Sequence, residues 1–305
     1  MSNIFSLYCD LSYDGSAPEQ TNAKHQPTTY AVGCAVANDV IWALISGGWK
    51  RINDECGVTR YHASYLNGGR GEYAGWSVRL RRAYSSALLC WLAQFGHELM
   101  AVGSAIHADA YDEIFTGSAR MKFGSPYIAC FNSCIAGATL LMETHRPATD
   151  ILNVILDEDA GSQEALSSFD WLAHRSRLPW RTRLNSCRHG SMTTDVPLQV
   201  ADLIAYELFK GAVERRNGRE SKRIPISSVL SNNLVREGYF DRAFLKSLVQ
   251  RVESTPVVDG YIVFIPEFFR YRQLRPEIVQ PSLSEAMHEL LEARRANNGD
   301  ATNEL

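Results

Sequence analysis

A chain of 305 residues with 45% apolar and 21% charged residues can build a full core, which excludes disorder along its whole length. A formal net charge of −3 does not mark a nucleic-acid binder, and the chain lacks an apolar run of the roughly 18 residues that a membrane span needs. The start carries neither a basic n-region nor a long apolar h-region, so a cytoplasmic protein is expected. Seven scattered cysteines, odd in number and without a C-x-x-C pair, argue against a disulfide framework or a zinc ribbon.

In chain order, Ile4 to Cys9 reads as a strand that delivers Asp10 at its end, before a turn-rich stretch. Tyr30 to Ala37 and Val40 to Ile45 read as two more strands joined by a tight Asn38-Asp39 connection. Residues 47–75 read as a long substrate-facing loop carrying Tyr-His-Ala-Ser-Tyr-Leu. A helix is expected from Trp76 to Phe95 with Gly96 as its stop, then a strand from Leu99 to His107. A loop with Asp109 and Asp112 precedes an apolar helix from Tyr127 to Glu143, which Pro147 ends. Ile151 to Leu156 is a buried-type strand ending on Asp157, followed by a helix near Gln163 to His174 and a strand near Arg181 to Cys187. A single α/β domain over residues 1–218 is the expected organisation, with a mainly helical C-terminal extension over 219–305. That extension closes on a short helix opened by a Ser282/Glu285 capping box and a frayed tail near 296–305.

The most informative stretch runs Asp195-Val-Pro-Leu-Gln-Val-Ala-Asp-Leu-Ile-Ala-Tyr. Pro197 suits a first helical turn, and Asp195 before it can accept from the open backbone donors. Leu198, Ala201, Ala205 and Leu208 recur at helical spacing, and Leu203, Ile204 and Phe209 widen the apolar surface, so the helix lies inside the domain. Gln199 and Asp202 share its narrow polar strip with Tyr206. An ionised carboxylate there needs a partner, and a metal ion, an arginine or a local cap would each serve.

Asp10, Asp157, Asp195 and Asp202 are thus candidate ligands for Mg²⁺ or Mn²⁺, hard cations that choose oxygen donors and keep waters and phosphate oxygens in the rest of their shell. Two such ions about 4 Å apart serve in-line displacement at phosphorus. His62 is read as a proton donor, a phosphate contact or a packing histidine. His107 with Asp109 reads as the exit from a strand, and Trp180 among arginines as a base-stacking residue or ordinary packing. Basic clusters at Arg79 to Arg82, Arg175 to Arg188 and Arg215 to Arg223 favour a phosphate-bearing partner over the weak net charge.

Tyr-Cys-Asp near the start, Tyr-His-Ala-Ser-Tyr-Leu with Gly-Glu-Tyr-Ala-Gly-Trp, Val-Ile-Leu-Asp-Glu and the Leu-Gln-x-Ala-Asp-Leu core at Leu198 to Leu203 together resemble the domain of unknown function 3800 family. The resemblance covers about Ile4 to Arg216 and implies a ribonuclease H-like mixed sheet flanked by helices. It implies an acidic centre of Asp10, Asp157 and Asp202 with Asp195 and Gln199 close by, hence nuclease-like, metal-dependent phosphodiester hydrolysis of RNA or DNA. Such enzymes also place a glutamate on a helix, for which Glu72 and Glu143 are both candidates. Leu11 stands where the family has an acid, so the second expectation is an inactive ribonuclease H-like module that binds nucleic acid or protein. A homodimer is left open.

Overall fold

Alternation sets the first strand, β1 (Ile4–Tyr13). Phe5, Leu7, Cys9 and Leu11 face one side of the sheet, while Tyr8 and Asp10 face the other. Asp10 lies inside this strand, which runs three residues further than its apolar pattern suggests. The computed structural model describes residues 3–13, 28–158, 162–176, 178–219, 235–253 and 281–301. Most of the turn-rich stretch after Asp10, nearly all of the run Ile224 to Val235, and the run Gly260 to Ile265 lie outside the described residues.

β2 (Thr29–Asn38) pairs antiparallel with β1. The run from Val40, expected as a strand, is instead the start of helix α1 (Asp39–Cys56). Asn38 does not make a hairpin turn; its side chain accepts from Ile41 N at 2.9 Å and caps the helix. Trp42, Ile45, Trp49 and Ile52 are then buried at spacings of three and four, so helical periodicity wins over the short apolar run. The expected long loop consequently shrinks. α2 (Ala63–Gly68) and a 3₁₀ turn at Gly71–Tyr73 occupy most of it, and α3 (Val78–Ala93) follows.

β3 (Met100–His107) leads to two short helices, α4 (Ala108–Ile114) and α5 (Gly117–Phe123), where a loop was expected. α6 (Pro126–His145), β4 (Ile151–Asp157) and α7 (Ser162–Asp170) fall close to where the sequence places them. β5 (Leu184–Gly190) begins three residues later than expected, because Pro179–Arg183 is a 3₁₀ turn. α8 (Pro197–Arg216) follows, then β6 (Val235–Phe240), α9 (Arg242–Glu253) and α10 (Leu283–Ala301).

The six strands form one mixed sheet in the order β5-β4-β1-β2-β3-β6, with only β2 running against the others. α6, α7 and α9 contribute to the core on one face, through residues such as Ile135, Phe169 and Leu248. α1, α3, α8 and α10 contribute on the other. α10 opens on its expected capping box, with Ser282 N donating to Glu285 Oε2 at 2.7 Å and Glu285 N to Ser282 Oγ at 3.2 Å. The fold is therefore α/β, a mixed sheet between two helical layers. Among the described residues no helix is long and apolar enough to cross a membrane.

Candidate active site at the carboxyl ends of the strands

The register of the sheet lines up a transverse row. Gly190 of β5 pairs with Asp157 of β4, Asp10 of β1 with Gly33 of β2, and Gly33 with Gly103 of β3. β1 and β4 are parallel with Cys9 beside Leu156, so the next residue on each strand sets Asp10 beside Asp157. Strands lie about 4.8 Å apart, and in-register side chains share a face, so these two carboxyl groups are neighbours.

Glycines at the other positions of the row let α8 lie across it. A Cβ at Gly33 would come within 2.2 Å of Ala205 N, and one at Gly103 within 1.9 Å of a Leu208 methyl. A Cβ at Gly190 would come within 2.8 Å of Asp195 Oδ2. α8 and the two residues before it therefore pass from Asp195 over β5 to Ala205 over β2 and Leu208 over β3. Asp202 belongs to the stretch that spans the two aspartates between.

Asp202 is 2% exposed, and its Oδ2 accepts from Ala63 N at 2.7 Å. The same oxygen meets His62 Nδ1 at 3.2 Å, and the imidazole Nδ1–H donates to it. Oδ1 makes no hydrogen bond among the described residues. Among the described residues Asp202 is met by neither a local cap nor an arginine, but by a backbone donor and a histidine at the start of α2, 139 and 140 residues away in the chain. His62 keeps its Nε2 edge in a side chain 29% exposed, and its ring lies 4.3 Å from that of Tyr65.

Gln199, one turn earlier and 1% exposed, holds the surrounding segments. Its Oε1 accepts from Trp49 Nε1 at 2.9 Å, Asn53 Nδ2 at 3.2 Å and Tyr61 N at 2.8 Å. Its Nε2 donates to Met192 O at 2.8 Å. One amide thus ties α1, the segment carrying His62 and the turn before α8 to a single point. These donors fix which end of the amide is oxygen, because an indole N–H and a backbone N–H can only donate.

Asp195 does not cap α8. Its carboxylate turns back, with Oδ1 accepting from Arg188 at 2.8 Å and Oδ2 from Ser191 N at 3.3 Å and Thr194 Oγ1 at 3.2 Å. Arg188 points from β5 on the same face as Gly190, two residues on, and its charge outcompetes the weaker helix donors. Burial pushes the Asp195 carboxyl up, but Arg188 and the Ser191 and Thr194 hydrogen bonds together hold it below the usual carboxylate range. Tyr8, two residues before Asp10 on the same face, is raised by burial and then by the Asp195 charge, with Arg188 pulling it down. It was missed in the sequence, although strand alternation from Asp10 would have found it.

A divalent cation suits part of this arrangement. Asp10 and Asp157 stand side by side and Asp202 has one oxygen unengaged, whereas both oxygens of Asp195 are committed. Among the described residues no three His, Cys, Asp or Glu side chains are drawn together closely enough to hold a metal ion. No family model, curated protein or solved structure matches this chain.

Neither glutamate candidate faces the row. Glu72 is exposed and clasps Thr59 through its backbone N and its hydroxyl. Glu143 is exposed near the end of α6, on the opposite layer and near the start of β4 rather than its end. Leu11 packs into the α6-side core, so an acid there would point away from Asp10's face. Trp180 is 2% exposed and is packing, and His107 closes β3 against Thr29 at 3.1 Å. Much of the basic content is structural as well. Arg79 pairs with Glu289, Arg81 donates to the carbonyls of Leu66 and Asn67, Arg183 to those of Pro147 and Asp150, and Arg216 pairs with Asp109.

Proposed function

We propose that the chain is a metal-dependent phosphodiesterase with a ribonuclease H-like arrangement, acting on nucleic acid. The observation that carries this is the neighbouring pair Asp10 and Asp157 at the carboxyl side of parallel strands, crossed by a buried helix that brings Asp202 and, through it, His62. The antiparallel second strand and the closing helix laid across the strand ends support the fold reading.

Asp10, Asp157 and the open oxygen of Asp202 would hold Mg²⁺ or Mn²⁺, which supplies charge neutralisation at phosphorus and a more acidic water. The chain's own residues do the rest. Asp202 fixes the His62 tautomer through Nδ1 and leaves Nε2 to carry a proton to or from the reacting oxygen. Gln199 keeps the backbone at Tyr61 in place, so His62 and Ala63 stay over Asp202. Arg188, paired with Asp195, brings a cation to the same end of the sheet.

A second reading, a nucleic-acid or protein binding module without turnover, is favoured by the partners of Asp195, since Arg188 already takes its Oδ1 and Ser191 N with Thr194 Oγ1 its Oδ2. Asp157→Asn separates the two. The first reading expects loss of Mn²⁺-stimulated cleavage of single-stranded, duplex and hybrid substrates by about a thousandfold or more, and loss of Mn²⁺-induced stabilisation, with little change in the metal-free melting temperature. Cleavage retained in the variant, or no melting shift with Mn²⁺ in the unmodified protein, sinks the hydrolytic reading.

A further inference from the structure

We propose that Tyr65, with His62 and Arg70, forms a stacking subsite for an unpaired nucleobase beside Asp202, so that the strand entering the site is single. This rests on the nucleic-acid reading above and names the form of nucleic acid it takes.

The subsite is built by the way α2 ends. Gly69 adopts φ +59°, its N–H donating to Leu66 O, and Arg70 N then donates back to Tyr65 O at 2.9 Å. That double return is a Schellman closure, and it carries Arg70 back to the ring of Tyr65, with the guanidinium 5.3 Å from the ring centroid. Gly71, at φ +60°, brings the next backbone turn up to the ring, where an added Cβ would meet Tyr65 at 3.0 Å. His62 stacks at 4.3 Å with ring planes tilted by 32°, and its other edge is held by Asp202. The backbone on one side and the buried carboxylate on the other fix the ladder in place.

Its exposure is out of keeping with a packing role. Tyr65 is 40% exposed, whereas Tyr61, Tyr73 and Tyr84 around it are buried in the core. Arg70 and Arg60 are exposed and make no ion pair among the described residues, and the nearby Glu72 is spent on Thr59. An exposed aromatic ring with a guanidinium 5.3 Å from its centroid, next to unneutralised guanidinium groups, is the chemistry that takes a base face and its phosphate. A base in a duplex has both faces covered by its neighbours, so only an unpaired or extruded base can extend this stack.

The test is fluorescence anisotropy with a labelled short deoxythymidine oligomer, its ribonucleotide counterpart and a matching duplex, all in chelator so that hydrolysis plays no part. The single strands are expected to bind more tightly than the duplex. Tyr65→Leu should weaken them about tenfold or more, while Tyr65→Trp holds or tightens binding. An abasic residue in the oligomer should erase the difference between unmodified protein and Tyr65→Leu, and Arg70→Gln should lower the salt slope by about 1. Unchanged single-strand binding by Tyr65→Leu, or tighter binding of the duplex, overturns the subsite and leaves the nucleic-acid reading standing. Failure of every oligomer to bind the unmodified protein overturns both.

Discussion

α6 and α8 are both 20 residues long, both begin on proline and both are buried over most of their surface, yet they do opposite work on the two faces of the sheet. The polar atoms of α6 bond within the helix or to the elements packed directly on it, as Asn132 Oδ1 does in accepting from Ser168 Oγ of α7 at 2.8 Å. Thr139 Oγ1 donates to Ile135 O and Ala136 O at 2.9 Å, within the helix itself. Those of α8 reach out. Gln199 bonds α1, the Tyr61 backbone and the turn at Met192, and Asp202 bonds the start of α2. A helix whose buried polar groups bond within itself or to its immediate packing neighbours only fills a layer. One whose buried polar groups depend on distant segments gathers those segments over a single point, and here the point lies beside Asp10 and Asp157.

The contrast breaks most completely at Gly33. Its missing side chain is what allows the Ala205 backbone to approach, and the added carbon of Gly33→Ala would sit 2.2 Å from Ala205 N. Backbone cannot rotate out of the way as a side chain does, so α8 must lift. We expect a loss of at least about 3 kcal/mol in chemical denaturation, the upper part of the usual cost of overpacking. A change under about 1 kcal/mol would mean that α8 does not rest on the row.

Gln199→Leu tests the gathering role directly. The change keeps the bulk but strands the Trp49 indole, the Asn53 amide, the Tyr61 N–H and the Met192 carbonyl, each bonded only as the structure shows. At about 1–3 kcal/mol per stranded buried group, with partial relaxation, a loss of about 3 kcal/mol is expected. Thr139→Val on α6 removes a bond inside the helix and should cost under about 1 kcal/mol, because the carbonyls it met keep their helical donors. Equal losses in the two variants would erase the distinction between the faces.

How far this could be read from the sequence follows the same line. The apolar runs and punctuation of α6 and β4 locate both, and the start of α8, within about two residues, since periodicity is local and strong in long buried elements. Asp157 and Asp202 are therefore placed correctly on their elements. Val40 to Ile45 is too short to separate strand from helix by pattern, and Asn38 serves a hairpin or a cap equally well. The three donors to Gln199 Oε1 lie 138 to 150 residues away from it in the chain, a separation no local signal bridges. Asp195 shows the limit most clearly: a short acid before Pro197 reads as a helix cap, and only the β4–β5 pairing reveals that Arg188 reaches it first.

The smallest expected effect concerns that pair and the pH limb it belongs to. With its folded pKa below the ordinary carboxylate range, Asp195 contributes stability that is present above the unfolded carboxylate pKa and lost as pH falls through the lowered folded value. Arg188 is 56% exposed, so solvent screens the pair, and such exposed pairs contribute about 0–1 kcal/mol. The buried thiols of the α6 face add nothing in this range. Burial pushes the Cys9 thiol up to about 11 and lifts Cys34, Cys130 and Cys134 as well, so these groups stay neutral in acid. Arg188→Gln should therefore flatten the acid side of a melting-temperature profile slightly, with the difference from the unmodified protein greatest near neutrality and vanishing in strong acid. Added salt should shrink that difference, since it acts on an exposed ion pair. A deficit in Arg188→Gln that is as large in strong acid as at neutrality would show that the arginine acts through packing, and that the charge facing Asp195 does not set its pKa.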